Sequence, residues 1–342
     1  MIPLEHTLGA LFKSEDPPEV ESYRHIIQGA LETLAEEPED IRPPDVDGKP
    51  GGLVLLNREI PTIVVPDLHA RMDFFLSVLG YRPENGERAI DLMERGELQV
   101  VCVGDGFHAE GRAARRWQAA LKEYEDAYKR HRNMDNEMRE SMGVMGMVMA
   151  VKQSFPNHFH FLKGNHENIT NELGGGNYPF RKFAMEGHMV VDYVRRFYGE
   201  ELLQEYALFE KQLPLLAVGK TFLISHAEPA AFFPRQHVID YRRHPSVVAG
   251  LTWTDNDEAQ DGSVSRMLSH YVDQEDCPCF HFGGHRPVTG SYRVRAEGRY
   301  VQIHDPGRFI IAYLPADREI DLDRDVREIE DVSYMAVEEY GE

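Results

Sequence analysis

An α/β fold is what this sequence predicts, and two observations carry the expectation. Five apolar, alternating runs stop at a glycine, proline or serine and are followed at once by polar residues, and amphipathic helical stretches fill the spaces between them. The runs are PTIVVPDLHA (61–70), QVVCVGDGFH (99–108), FHFLKGNHEN (159–168), KTFLISHAEP (220–229) and CFHFGGHRPV (279–288). In a layered α/β sheet the carboxyl ends of neighbouring strands share one edge, so polar residues far apart in sequence can meet in one crevice. The residues delivered in this way are Asp67, His69, Asp105, Asn165, His166, His226 and His285.

Residues 1–52 read as a helical extension and a linker. Tyr23, Ile26, Ile27, Ala30, Leu31 and Leu34 fall near helical spacing, Pro38 stops the pattern, and residues 37–52 are rich in proline, glycine and acids. The main domain is expected over 53–315. After His69, the residues Met72, Phe75, Leu76 and Leu79 give a helix ending at Gly80, which completes strand, loop and helix. Between Asp105 and Asn165 the chain is much longer than a simple crossover needs, so a helical insertion is expected at about 109–155. Its first helix carries Trp117, Leu121, Tyr124 and Tyr128 on one stripe and is expected half exposed. The second, apolar nearly all round from Met142 to Val151, reads as buried core. Residues 180–209 read as helical, and 230–268 as loops with short helices. Two alternating strands, 299–303 and 308–314, follow, joined by His304, Asp305, Pro306 and Gly307. His304 and Asp305 have the chemistry of ligands, but turn chemistry accounts for those four residues. The segment 316–342 is an acidic C-terminal tail, with eleven acids from Asp317 onward, and is expected to be solvated or a peripheral helix.

With 37 basic against 58 acidic residues, the formal charge is −21, which argues against nucleic acid and anionic membranes as partners. The N-terminus has acids and prolines where a signal peptide needs basic then apolar residues, and no run approaches a membrane span, so a cytoplasmic location is expected. Three cysteines imply no disulfide framework; Cys277 and Cys279 are one residue short of a CxxC spacing and read as packing.

The ligand set is carboxylate, imidazole and amide without thiolate, which suits borderline-hard divalent ions: manganese first, with iron or zinc as the others. It is long enough for two ions. Asp67, His69 and Asp105 can hold one, and Asn165, His226 and His285 a second, with the two oxygens of Asp105 bridging them. A water held between two dications is deprotonated near neutral pH and is the expected nucleophile on a phosphate ester. His166, beside Asn165, is the candidate general acid. Each aspartate alone is explained by helix capping and each histidine by an ordinary hydrogen bond. Seven of them at five strand ends are not. His158, His160 and His281 alternate with phenylalanines within strands and read as packing.

The blocks Asp67-Leu68-His69, Gly104-Asp105, Gly164-Asn165-His166-Glu167, His226 and Gly284-His285 resemble those of the calcineurin-like metallophosphoesterases. LKGNHE, LPLLAVGKTFLISH, LTWTD and a final GH without a second histidine at Pro287 resemble the phosphoprotein phosphatase branch, over about 53–314. The resemblance implies a four-layer sandwich of two β-sheets flanked by helices, and phosphate ester hydrolysis at a dinuclear centre. It places Asp67, His69 and Asp105 on the first ion, Asp105, Asn165, His226 and His285 on the second, and His166 on the leaving group. Where the branch carries GDxxDRG, this chain reads GDGFHAE: His108 stands for the aspartate that supports the general acid, and Ala109 for the arginine that clamps phosphate. Arg112, Arg266 and Arg286 are the candidates to supply that charge. Ala70 stands for the glycine of DxHG, and His226-Ala227-Glu228 for HGG.

The resulting expectation is a metal-dependent phosphatase acting on a phosphorylated protein or small molecule. A nucleotide or dinucleoside polyphosphate hydrolase is the second enzymatic reading, and a scaffold that kept the fold without catalysis the third. Oligomeric state is not legible.

Overall fold

The computed structural model describes residues 3–83, 86–272 and 279–334. Its strands, in chain order, are β1 Leu53–Leu55, β2 Thr62–Val65, β3 Gln99–Cys102, β4 Phe159–Phe161, β5 Leu216–Val218, β6 Phe222–Ser225, β7 Phe280–Gly283, β8 Arg293–Arg295, β9 Tyr300–Gln302, β10 Ile310–Leu314 and β11 Val326–Glu328. They form two mixed sheets, ordered β1-β5-β6-β7-β9-β8 and β11-β10-β2-β3-β4.

Alternation along the strands divides the core. Val64, Val101, Ile310 and Ala312 of one sheet and Ala217, Ile224, Phe282 and Val301 of the other meet in an apolar layer between the sheets. The residues between them face outward: Ile63, Val65, Val100, Cys102 and Ile311 pack under one set of helices. Leu216, Val218, Leu223 and Tyr300 pack under another. Both faces of these short strands are therefore buried, which explains their near-continuous apolar character.

In each sheet a parallel trio aligns its carboxyl ends. β2, β3 and β4 run parallel in the first, and β6, β7 and β9 in the second. These ends carry the candidate site.

The helices over the β2 sheet include Leu4–Lys13, Val20–Ala35, Ala114–Glu125 and Arg132–Ser154. Val20–Ala35 starts at Glu19, whose carboxylate accepts the N–H groups of Glu21 and Ser22, and buries Tyr23, Ile27, Ala30 and Leu34. Arg132–Ser154 buries every residue from Ser141 to Lys152, so its methionines are core. No helix among the described residues is long and apolar enough to cross a membrane.

A buried ion cluster joins the N-terminal helices to this layer. Glu37 receives Lys152 Nζ at 2.6 Å and pairs with Arg42, and all three side chains are almost wholly excluded from solvent. Burial works against ionisation of Glu37, but the Arg42 and Lys152 cations hold its carboxyl down to about 2. A lowered carboxyl pKa contributes stability above the ordinary carboxylate range, and that contribution is lost as pH falls toward about 2. Glu37→Ala leaves two buried cations without their anion, and should cost about 3–5 kcal/mol in urea unfolding at neutral pH.

The strands on either side of His304 and Gly307 lie in different sheets: β9 pairs with β7 and β8, whereas β10 pairs with β2 and β11, so the connection passes from one sheet to the other. One expectation is corrected: the acidic tail is neither wholly solvated nor only a peripheral helix. Val326–Glu328 pairs antiparallel with β10, with Val326 and Ile329 buried and the Glu328 carboxylate accepting from Arg308 at 2.6 Å. Sparse apolar residues among many acids were enough to cover a sheet edge. Cys102 and Cys279 are buried, and Cys277 lies outside the described residues.

Candidate metal centre

The candidate residues lie one to five positions beyond the ends of the parallel strands. Asp67 and His69 follow β2, Asp105 follows β3, Asn165 and His166 follow β4, His226 follows β6 and His285 follows β7. All but His285, which is partly exposed, are buried. Sharp loops are needed to turn these side chains inward. His69, Ala70, Asp105, His108 and His285 accordingly adopt φ of 42, 60, 53, 67 and 64°. Such conformations cost non-glycine residues about 1–3 kcal/mol each and persist only where neighbours hold them.

The neighbours are present. The N–H groups of His69 and Ala70 donate to the Asp105 and Gly106 carbonyls at 2.7 and 2.8 Å. The Glu167 carboxylate accepts the N–H groups of Asp105, Gly106 and Gly164 at 2.9, 2.9 and 2.6 Å, tying two loops together. Glycine is required where the loops meet the carboxylates: a Cβ at Gly164 would lie 2.2 Å from Asp105 Oδ1, and one at Gly284 2.1 Å from Asp67 Oδ1.

Donor atoms converge at two points. Asn165 Oδ1, His226 Nε2 and His285 Nδ1 form a triangle with sides of 2.9, 3.0 and 3.2 Å. Metal bonds of about 2.0–2.2 Å place the ligands of one ion roughly 3–3.5 Å apart, so this triangle has the size of half a coordination shell. Asp105 Oδ2 lies 3.5 Å from His226 Nε2 and 3.8 Å from His69 Nε2, between the triangle and the second point. There, atoms of Asp67, His69 and His304 lie within 4.8 Å of one another, as do atoms of His69, Asp105 and His166. His69 Nδ1 lies 2.9 Å from the His108 carbonyl, which fixes the N–H on Nδ1 and leaves Nε2 bare. Buried atoms without a hydrogen-bond partner include His226 Nδ1, His285 Nε2 and His304 Nδ1.

The electrostatics fit the same group. Burial and the Glu167 and Asp67 carboxylates push the Asp105 carboxyl far above its ordinary range. Burial opposes ionisation of Asp67, but the His304, His226 and His69 rings draw its carboxyl down. Burial lowers His226 to about 4 and His285 well below the imidazole range, which leaves their rings neutral and able to ligate. A divalent cation would offset the repulsion among these carboxylates. The residues present therefore fit divalent metal.

His166 borders the Asp105 oxygen with Nε2, 3.7 Å away, and its Nδ1 lies 2.9 Å from His108 Nδ1. Phe180 covers the pair, with ring centroids 3.8 Å from His166 and 4.9 Å from His108. The long helix supports this loop: Ser141 Oγ accepts the His108 N–H at 3.2 Å, and Glu137 accepts the Ala109 N–H at 2.8 Å. Burial first, then neighbouring His69, pushes His108 down to about 3, and burial with four surrounding histidines lowers His166 well below its usual value.

The three candidate arginines separate. Arg112 reaches the Ala70 carbonyl at 3.0 Å and pairs with Glu140, at the rim of a cavity of about 730 Å³ that also includes Ala70 and Pro306. Arg286 is held by Asp255 at 2.6 Å. Arg266 is exposed and reaches only the Asp261 carbonyl at 3.5 Å, with no contact to a ligand residue among those described.

Sequence reasoning gives Glu110 and Glu167 no role beyond their motifs and assigns His304 to turn chemistry. His304 Nε2 lies 2.9 Å from Glu110 Oε2, and Glu110 Oε1 lies 3.6 Å from His69 Nε2. The run 299–303 alternates like the other five and also ends at a polar residue, but the His-Asp-Pro-Gly turn sequence explains His304 equally well. His281 is a support, its Nε2 lying 2.7 Å from Ser225 Oγ.

No family model and no curated protein matches the sequence. Among solved structures, the fold is similar to that of a serine/threonine protein phosphatase from Saccharomyces cerevisiae with similarity to human phosphatase PP5. The two are 14% identical with a TM-score of 0.53, over 92% of this chain and 91% of that one. A cold-active protein-tyrosine phosphatase from a psychrophilic Shewanella is 13% identical with a TM-score of 0.46, over 82% of each chain. At these identities the yeast structure establishes a shared α/β fold.

Proposed function

We propose that this chain is a phosphoesterase that binds two divalent ions and hydrolyses phosphate monoesters, with phosphoserine and phosphothreonine in proteins as the leading substrates. The observation that carries the reading is the position of Asp105 Oδ2, between His69 on one side and the Asn165–His226–His285 triangle on the other. The yeast protein of the same fold is a serine/threonine phosphatase, which agrees with it.

Asp67, His69 and Asp105 would hold one ion, and Asp105, Asn165, His226 and His285 the other. When bound, the pair supplies a water acidic enough to act as nucleophile and stabilises charge on the phosphoryl oxygens. The chain does the rest. Glu167 fixes the two loops that aim Asp105 and Asn165, His166 holds a proton at Nε2 for the leaving oxygen, and Phe180 keeps bulk water from the His108–His166 pair. Arg112, whose guanidinium donates to the Ala70 carbonyl beside His69, and Arg286, which follows His285 and is paired with Asp255, are the two candidates to contact phosphate.

His108 should set the pH range. A neutral imidazole beside His166 gives an imidazolium no counter-charge, so the protonated acid is populated only at low pH. His108→Asp places a carboxylate there and raises the His166 pKa. Since a general acid works below its pKa, the alkaline limb of kcat on an alkyl phosphate should move to higher pH. An unchanged profile would remove His108 from this role.

Chelated protein reloaded with manganese, zinc or iron, and assayed on an alkyl phosphomonoester, a phosphodiester and a phosphoserine peptide, tests the reading. Monoester and phosphopeptide turnover only after reloading is expected. Preference for the diester or for a dinucleoside polyphosphate would overturn the substrate class, and no turnover at any loading would overturn the enzymatic reading.

A further inference from the structure

We infer that His304 is a fourth protein donor to the ion held by Asp67, His69 and Asp105, binding through Nδ1, and that Glu110 is the positioning residue that fixes its tautomer. The inference rests on the dinuclear reading above and concerns residues outside the ligand set implied by the sequence resemblance.

β9 is the third member of the parallel trio β6-β7-β9, so its carboxyl end opens on the same edge that presents His226 and His285. His304 lies two residues beyond β9 and is fully buried. Its Nε2 lies 2.9 Å from Glu110 Oε2; because the carboxylate only accepts, the ring donates from Nε2 and Nδ1 is left as a bare lone pair. That Nδ1 has no hydrogen-bond partner and faces Asp67 Oδ2, itself an acceptor, at 3.5 Å. Two buried acceptors facing each other are unfavourable unless a cation lies between them. Atoms of Asp67, His69 and His304 lie within 4.8 Å of one another, and the 3.5 Å between His304 Nδ1 and Asp67 Oδ2 is the separation expected of two ligands on one ion.

A carboxylate accepting from the far nitrogen of a metal-bound imidazole is the common way proteins orient such a ligand. Glu110 is itself held, by Lys182 Nζ at 3.0 Å. The final GH block lacks a second histidine because Pro287 stands there, and His304 brings an imidazole to the centre from the next strand of the sheet. With two imidazoles instead of one, the first position becomes richer in nitrogen and favours zinc or iron over manganese. The other way to satisfy His304 is a protonated ring shared between Asp67 and Glu110. That arrangement gives metal affinity no dependence on the residue.

Zinc titration of the chelated full-length protein by calorimetry, with the visible spectrum of the cobalt-loaded form as a second readout, separates these. Wild type should bind two ions. His304→Ala should weaken one of them by more than about 100-fold and alter the cobalt bands, leaving the other unchanged; Glu110→Gln should weaken the same one by about 10-fold to 100-fold. His304→Gln, whose side-chain amide reaches the position of Nε2 and can still donate to Glu110, gives the same comparison if the alanine variant does not fold. Two ions bound with wild-type affinities by the His304 variants would overturn the inference alone. No metal bound by wild type would overturn it together with the dinuclear reading.

Discussion

Asp105→Asn should reduce phosphomonoester turnover by roughly 10³-fold or more and halve the metal bound after gel filtration. The side chain keeps its shape, so the loss comes from charge. Asp105 Oδ2 is the oxygen that faces His69, His166 and His226 at 3.5 to 3.8 Å, and Oδ1 is already used by the His166 N–H at 2.9 Å. An amide retains one weak donor oxygen and no negative charge, and losing about 4 kcal/mol of stabilisation gives that factor. The same change should not damage the fold. In the absence of metal, burial and the Glu167, Asp67 and Glu110 carboxylates raise the Asp105 pKa, so its ionised form opposes folding above the ordinary carboxylate range. Metal-free Asp105→Asn should therefore melt no lower than metal-free wild type. Loss of activity accompanied by a collapsed melting temperature would place Asp105 in the scaffold instead.

His166→Ala separates proton transfer from metal binding. It should lower kcat on an alkyl phosphate by about 10²–10⁴-fold, and much less on an activated aryl phosphate whose leaving group needs no proton. Metal content should stay at the wild-type value, because the ring engages His108 at Nδ1 and stands 3.7 Å from the Asp105 oxygen with the other nitrogen. Equal losses on both esters with a metal missing would make His166 a ligand.

The sequence made the strand ends readable because each candidate ligand follows an apolar run that reads as a buried strand. Asp67, Asp105, Asn165, His226 and His285 stand out for that reason, and the structure brings them within one crevice. His304 was hidden by its neighbours. A His-Asp-Pro-Gly sequence satisfies turn chemistry, and nothing local reveals that β9 and β10 belong to different sheets. Alternation fixes which faces of a strand are buried; it does not select the partner strand. Glu110 was hidden by distance, since its partners His304 and Lys182 lie 194 and 72 positions away. The strand Val326–Glu328 was hidden by composition, because acids outnumber the few apolar residues that cover the sheet edge. The three arginines illustrate the opposite limit: charge alone named them, and Arg112 and Arg286 border candidate ligand loops whereas Arg266 does not.

The central claim is two ions joined by one carboxylate. Crystals of the protein soaked in zinc or manganese, measured at the metal's absorption edge, test it most directly. Two anomalous peaks about 3.5–4 Å apart are predicted. One should contact His69, the other His226 and His285, and both Asp105. A single peak, or peaks that leave Asp105 without a metal contact, would contradict it.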